Sequence, residues 1–324
     1  MRTPAFWNSP SLLSTLLLPL SVIYEMGATL RRAWTKPVML PVPVICIGGL
    51  TAGGAGKTPV ALHVGRKLKE KHIAAFFLSR GYGGTEMGPL LVDPEEHTAA
   101  QVGDEPLLLA RVLPTVIAKD RVNGAKFAIA QGAKVIVMDD GFQNPAIAKT
   151  LSLLVIDGER GFGNGRLLPS GPLREPWPQG CRRAHAIIVI NNTNLLPALP
   201  QDRPVLFART QAAPETAAVR GKKIIAFCGL AYPQKFFDML RGQGAELAES
   251  IPFSDHYPYT EADIKMLARK AKAIHTPLVT TPKDAVRLPP AFRQWVTVVD
   301  ITLSFENDAA LDALIDYALT HEAV

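Results

Sequence analysis

The chain has 324 residues, enough for two domains of ordinary size, and its 48% apolar content excludes a disordered polypeptide. A formal charge of +6 and an isoelectric point near 9.2 favour anionic partners, without choosing among phosphate-bearing small molecules, nucleic acid and an acidic bilayer. Cys46, Cys181 and Cys228 are far apart and show no CxxC spacing, which argues against a disulfide framework or a zinc site and fits a reducing cytoplasm.

From Pro10 to Tyr24 no side chain is charged, and Arg31, Arg32 and Lys36 follow. A helix over that run is roughly 22 Å long at about 1.5 Å per residue, short of the roughly 30 Å hydrocarbon core. The pattern predicts a helix that dips into a membrane with Trp34 and the basic cluster at the headgroups; a buried helix of the first domain is the rival reading. Pro19 is expected to kink it either way. Glu25 stands where a signal peptide would carry a small-residue cleavage site.

Val42 to Gly49 is a short β-branched apolar run that stops at glycines and leads into a helix-like stretch from Pro59 to Lys69. Between them stands Thr51-Ala52-Gly53-Gly54-Ala55-Gly56-Lys57-Thr58. Glycines let backbone amides turn toward one point, and a helix N-terminus adds favourable potential for an anion. Lys57 can then reach the β and γ phosphates of ATP, and the Thr58 hydroxyl can bind Mg²⁺. The pattern GxxxxGK[ST] begins with glycine and this one begins with Thr51, so a chance Gly-rich turn is the competing reading.

Apolar runs recur at Ala74 to Leu78, Thr115 to Ile117, Val135 to Met138, Leu153 to Ile156 and Ala186 to Ile190, separated by helix-length segments. That alternation predicts a mostly parallel sheet with helices on its faces, an α/β fold of the P-loop NTPase kind. The run at Val135 ends in Asp139-Asp140, as a Walker B strand does: one carboxylate for Mg²⁺, the other for substrate or water. Gly161 to Gln179, rich in Gly and Pro, is long for a plain connection and reads as a functional loop. After Pro204 to Ala208 the pattern restarts with Lys223 to Cys228, a helix over Pro233 to Gly242, strands at Pro277 to Thr280 and Trp295 to Val299, and an amphipathic helix near Asn307 to Ala318. The expected organisation is an N-terminal helix over 1–37, a P-loop core over 38–210, and a smaller α/β domain over 211–324.

Asp139-Asp140-Gly141-Phe142-Gln143 and the loop before Lys57 are where the chain resembles the lipid A 4'-kinase (tetraacyldisaccharide 4'-kinase) family. Ser79-Arg80-Gly81-Tyr82-Gly83-Gly84, Gly103-Asp104-Glu105-Pro106, Leu168 to Pro176, Phe253 to Tyr257 and Thr281 to Leu288 follow in the family's order. The apolar N-terminal helix is similar to the family's membrane anchor. The resemblance implies transfer of the ATP γ-phosphate to the 4'-hydroxyl of a tetraacylated glucosamine disaccharide 1-phosphate, giving lipid IVA, by a monomer at the cytoplasmic face of the inner membrane. It also implies a catalytic base at Asp104, with His256 tuning or relaying the proton from the second domain, and a phosphate clamp at Arg174. On the residues alone, Asp104 reads equally as a helix N-cap, His256 as a solvated loop histidine and Arg174 as the ion-pair partner of Glu175. Arg80 and Tyr82 face the disaccharide or simply close a turn, and Lys283 and Asp284 contact nucleotide or form an internal salt bridge. Many family members carry His where this chain has Asn144.

Two other classes are weaker. Partition-type switch ATPases carry an extra Lys five residues before the P-loop Lys, where this chain has Ala52, and the NKxD motif of GTPases is absent. Dispersed Lys and Arg with no aromatic stacking motif argue against a nucleic-acid partner.

Overall fold

The computed structural model describes residues 4–53, 56–191, 196 and 198–321. The chain divides into two compact units, one of residues 3–97, 101–210 and 303 onward, the other of 211–302 with 98–100. In the larger unit the strands are β1 (Val44–Gly48), β2 (Ala75–Ser79), β3 (Leu90–Leu91), β4 (Thr115–Ile117), β5 (Val135–Asp139), β6 (Leu151–Asp157), β7 (Ala186–Ile190) and β8 (Val205–Ala212). With β13 (Ile301–Phe305) they form a nine-stranded sheet in the order β13-β8-β7-β6-β1-β5-β2-β4-β3. Pairing from β4 through β8 is parallel, and β3 alone is shown antiparallel to its neighbour. The fold is the expected α/β class.

The apolar runs are continuous because both faces of the sheet are covered. Ile45, Ile47, Phe77, Val137 and Ile188 point into one core with Val60 and Leu68, from the helix Lys57–Glu70. Val44, Cys46, Leu78, Ile136 and Met138 point into the other with Ala125 and Ala128, from the helix Arg121–Ala130. The order of elements along the chain places the last helix, Asp308–Thr320, in the second domain. It packs instead through Leu311, Ile315 and Ala318 into the first of these cores. Lys67 Nζ lies 2.6 Å from Asp308 and 2.9 Å from Asp312, and Lys71 Nζ 2.8 Å from Asp316, so charge spacing along both helices sets their register.

The smaller unit holds β9 (Lys223–Cys228), β10 (Glu246–Pro252), β11 (Leu278–Thr280) and β12 (Val296–Val298) in the parallel order β10-β9-β11-β12.

The N-terminal segment differs from the expected kinked run. It breaks at Leu17 into the helices Leu12–Leu16 and Leu18–Trp34. Pro19 sits in the first turn of the second helix, where its missing amide costs nothing, so it starts a helix instead of bending one. The helix then runs on through Glu25, Arg31 and Arg32. Among the described residues no helix is long and apolar enough to cross a membrane.

Candidate active site

Strand β1 delivers the chain at the centre of the sheet, and β5 lies beside it with Ile47 opposite Asp139. The loop after β1 and the acidic end of β5 therefore meet at one point on the carboxyl edge. Thr51 forms a bridge with Leu173 and has an ordinary φ, so the first position of this loop needs no glycine. The Ala52 amide donates to the Pro172 carbonyl at 2.8 Å. Gly53 turns at φ 105° and Gly56 at φ 78°. A Cβ on Gly56 would stand 2.4 Å from Ile190 Cδ1, so conformation and space both demand glycine there. Gly54 and Ala55, also expected to bind phosphate, lie outside the described residues. The helix Lys57–Glu70 begins immediately after, aiming its N-terminal amides at the loop.

Lys57 Nζ donates to the Gly53 carbonyl at 3.3 Å and lies 3.4 Å from Asp140. Thr58 Oγ1 donates to Asp139 Oδ2 at 3.3 Å. Asp139 is 4% exposed, and its Oδ1 is buried with no hydrogen-bond partner. Burial foremost, then the charges of Glu105 and Asp140, push the Asp139 carboxyl up to about 7 against the pull of Lys57 and Thr58. Burial works in the same sense on Asp140, but Lys57 and Arg174 outweigh it and hold that carboxyl below the usual range. Two adjacent acids are thus split, one poised near neutrality and one fixed as an anion.

Arg174 Nη1 donates to both oxygens of Asp140, at 2.8 and 2.9 Å, and to Gln143 Oε1 at 3.2 Å. The alternative partner read from the sequence, Glu175, is engaged elsewhere: it is buried and accepts from Arg183, from Arg32 at 3.4 Å and from Gln143 at 3.0 Å. Asp140 therefore holds the two cations, which leaves Asp139 and Thr58 as the oxygen donors open to a divalent cation. One orphaned carboxylate oxygen beside a hydroxyl suits Mg²⁺, which keeps several waters and takes its remaining ligands from phosphates. Among the described residues no cluster of three or more His, Cys, Asp or Glu could hold a metal without such help.

Asp104 is buried and opens the helix Asp104–Ala110 as its first residue; the cap position read for it belongs to Gly103. Gly103 turns at φ 89°, and a Cβ on it would stand 2.5 Å from the Tyr82 carbonyl. The turn carrying Asp104 is thereby packed on the Arg80–Gly84 turn, where the Tyr82 side chain is exposed. Glu105, the next residue, is among the charges that raise Asp139.

His256 belongs to the other unit, in a left-handed turn at φ 54°. Lys283 Nζ lies 3.2 Å from its Nε2, and Arg287 Nη2 3.4 Å from its Nδ1. Asp284, fully buried, accepts from the Gly229 amide at 2.7 Å, Tyr259 Oη at 2.8 Å, Thr281 Oγ1 at 2.6 Å and Arg287 at 3.2 Å. Of the two roles read for this pair, the internal salt bridge holds for Asp284, while Lys283 stands beside the histidine. Asn144 directs its side-chain carbonyl to the Ala146 amide at 2.8 Å, closing the turn after β5.

Sequence reasoning missed Arg121, which is buried and donates to the Ala118 carbonyl. Burial pushes its guanidinium down to about 10 even though Asp139 and Asp140 pull it up. Its only signal was its place directly after the N-cap Asp120.

The family model described as Tetraacyldisaccharide-1-P 4'-kinase matches residues 13–320. The tetraacyldisaccharide 4'-kinase of Gluconacetobacter diazotrophicus is 50% identical over 323 residues, 98% of each chain. That of Rhodospirillum rubrum is 46% identical over 322 residues, 98% of this chain and 97% of its own. The crystal structure of LpxK from Aquifex aeolicus in complex with ATP matches with a TM-score of 0.78 at 27% identity, covering 95% of this chain and 100% of that one.

Proposed function

The chain belongs to the tetraacyldisaccharide-1-phosphate 4'-kinase family, and from that premise we propose that it transfers the γ-phosphate of ATP to the 4'-hydroxyl of a tetraacyldisaccharide 1-phosphate in lipid A biosynthesis. The observation that carries this reading is the convergence of Lys57, Thr58 and the orphaned Asp139 oxygen on the loop between β1 and its helix. Phosphoryl transfer demands positioning and charge neutralisation, and these groups provide both. Lys57 neutralises the phosphates, and the loop amides with the helix N-terminus orient them. Asp139 and Thr58 would hold Mg²⁺, which when bound screens the β and γ oxygens as charge develops. Asp140 keeps Lys57 and Arg174 in place, so that Arg174 meets the transferring group as a second cation. The Asp104 carboxylate accepts the proton of the sugar hydroxyl, and His256 is a second residue on which turnover depends.

The test is transfer of labelled γ-phosphate from Mg-ATP to tetraacyldisaccharide 1-phosphate in detergent micelles. Labelled lipid is expected from the unaltered protein, and Asp104→Ala and His256→Ala should each lower kcat about 10²-fold while leaving ATP affinity within about threefold. ADP release without labelled lipid would overturn the kinase reading. Near-normal turnover of both variants would overturn the assignment of these two residues alone.

We also propose that the two N-terminal helices seat the protein on the cytoplasmic face of the inner membrane. Leu12, Leu16, Ile23, Met26 and Trp34 are exposed, at 78, 68, 65, 59 and 79%. Moving such side chains from water into hydrocarbon contributes on the order of 1.5–3 kcal/mol each. Arg31 and Arg32, expected at the headgroups, instead bond inward to the Gln143 carbonyl at 3.1 Å and to Glu175. Apolar contact therefore carries most of the binding. Leu16→Glu with Ile23→Glu is expected to reduce flotation with phosphatidylglycerol-containing vesicles at least tenfold; undiminished flotation would refute the assignment of this face.

A further inference from the structure

The helix Leu18–Trp34 is amphipathic in the reverse sense for a helix on a folded domain: leucines face out, and Ser21, 4% exposed, faces in. Ser21 Oγ donates to the Leu167 carbonyl at 2.9 Å and accepts from the Ser170 amide at 3.2 Å. Ser170, fully buried, donates its hydroxyl to the Ser14 carbonyl. The turn gripped in this way is folded on itself, for Leu173 N donates to Arg166 O at 3.0 Å and Leu168 N to Leu173 O at 2.8 Å. Its far limb is the one that braces the phosphate loop. Pro172 O receives the Ala52 amide, Arg174 N donates to Leu50 O at 2.6 Å, and the Arg174 side chain grips Asp140. From the membrane-facing helix to the loop that precedes Lys57 there is thus one intervening turn, hydrogen-bonded on both sides.

We propose that Ser21 is a positioning residue for nucleotide binding: through the turn 166–174 it sets the backbone at Leu50–Ala52 and the reach of Arg174. The apolar helix is then part of the phosphate site's scaffold as well as a membrane contact. The inference rests on the reading that Lys57 and its loop hold the nucleotide phosphates. The helix's outward face plays no part in it, so the two roles can be separated by mutation. Loss of the Ser21 hydroxyl takes the acceptor from the buried Ser170 amide and leaves the Leu167 carbonyl with the Gly171 amide at 2.8 Å, and the turn must shift to recover the lost bond.

The experiment compares Ser21→Ala, Ser21→Thr and Lys57→Ala in the full-length chain, measuring the Kd for ATP, KM for ATP and for the lipid separately, and vesicle flotation. Ser21→Ala is expected to raise the Kd and KM for ATP about tenfold, with lipid KM and flotation unchanged. Ser21→Thr, which keeps the hydroxyl, should stay within about twofold of the unaltered protein. A general loss of folding would depress active fraction without splitting the two KM values. If Lys57→Ala weakens ATP binding about tenfold while Ser21→Ala leaves it unchanged, the inference is wrong and the phosphate reading stands. If Lys57→Ala also leaves ATP binding unchanged, the phosphate reading fails and the inference falls with it.

Discussion

Lys57→Ala is expected to lower kcat/KM for phosphoryl transfer about 10³-fold, divided between a rise of about tenfold in KM for ATP and a fall of about 10² in kcat. The split follows from what the side chain touches. Its ammonium is held 3.3 Å from the Gly53 carbonyl and 3.4 Å from Asp140, with its side chain 10% exposed, so it is fixed in place before any nucleotide arrives. A preplaced charge of this kind costs little reorganisation as negative charge gathers on the transferring phosphoryl group, and most of its effect is felt in kcat. Lys57→Arg should not restore the rate. A planar guanidinium cannot place a point charge between a loop carbonyl and a carboxylate already bridged by Arg174. Steady-state kinetics with labelled ATP decide the matter, and a loss smaller than tenfold in Lys57→Ala would remove this residue from the chemistry.

The parts of this site that could be read from the sequence are those whose signal is local. An apolar run ending in glycines and another ending in two acids fix β1 and β5, and because neighbouring parallel strands end at one edge, Lys57, Thr58 and Asp139 had to meet. That the Gly161–Gln179 segment is more than a plain connection was also legible from its length and composition, and its Pro172 and Arg174 meet Ala52 and Asp140. The partner of Arg174 was not, because Asp140 lies 34 positions away and it is tertiary pairing, the Thr51–Leu173 bridge with the Arg174 amide on the Leu50 carbonyl, that brings them together. The N-terminal helix was read too short for a similar reason. Glu25, Arg31 and Arg32 look like the end of an apolar run, yet they are the groups that bond inward, to Gln179, Gln143 and Glu175. Strand β10 escaped notice because its sequence, Glu246–Pro252, is acidic and only half-buried at the sheet edge. Nor does an amphipathic pattern say which core a helix will join. The placement of Asp308–Thr320 follows from tertiary contacts, those of Leu311, Ile315 and Ala318 in the core and the ion pairs of Asp308, Asp312 and Asp316.

Asp139→Asn is expected to lower kcat/KM about 10³-fold and, in the absence of metal and nucleotide, to raise the melting temperature at pH 8. The first effect comes from replacing the carboxylate with a neutral amide beside Thr58, where Mg²⁺ would be held. The second comes from the environment of the same atoms. In the folded protein the carboxyl titrates at about 7, above its ordinary value of 3.8, because burial and the charges of Glu105 and Asp140 disfavour the anion. Its contribution to stability is therefore fully present below about pH 4 and is lost as pH rises through 7. At pH 8 the buried anion costs on the order of 4 kcal/mol. Asparagine removes that cost but places an amide hydrogen where Oδ1 has no partner, returning about 1–2 kcal/mol. The difference in Tm between Asp139→Asn and the unaltered protein should be several degrees positive at pH 8 and shrink to zero or reverse at pH 5. The same titration makes metal binding by the unaltered protein weaken about tenfold per pH unit below 7, since the proton must leave before the cation can enter. A Tm difference that does not change between pH 5 and pH 8 would show that Asp139 is not held near neutrality, and the argument for its orphaned oxygen as a metal ligand would lose its electrostatic half.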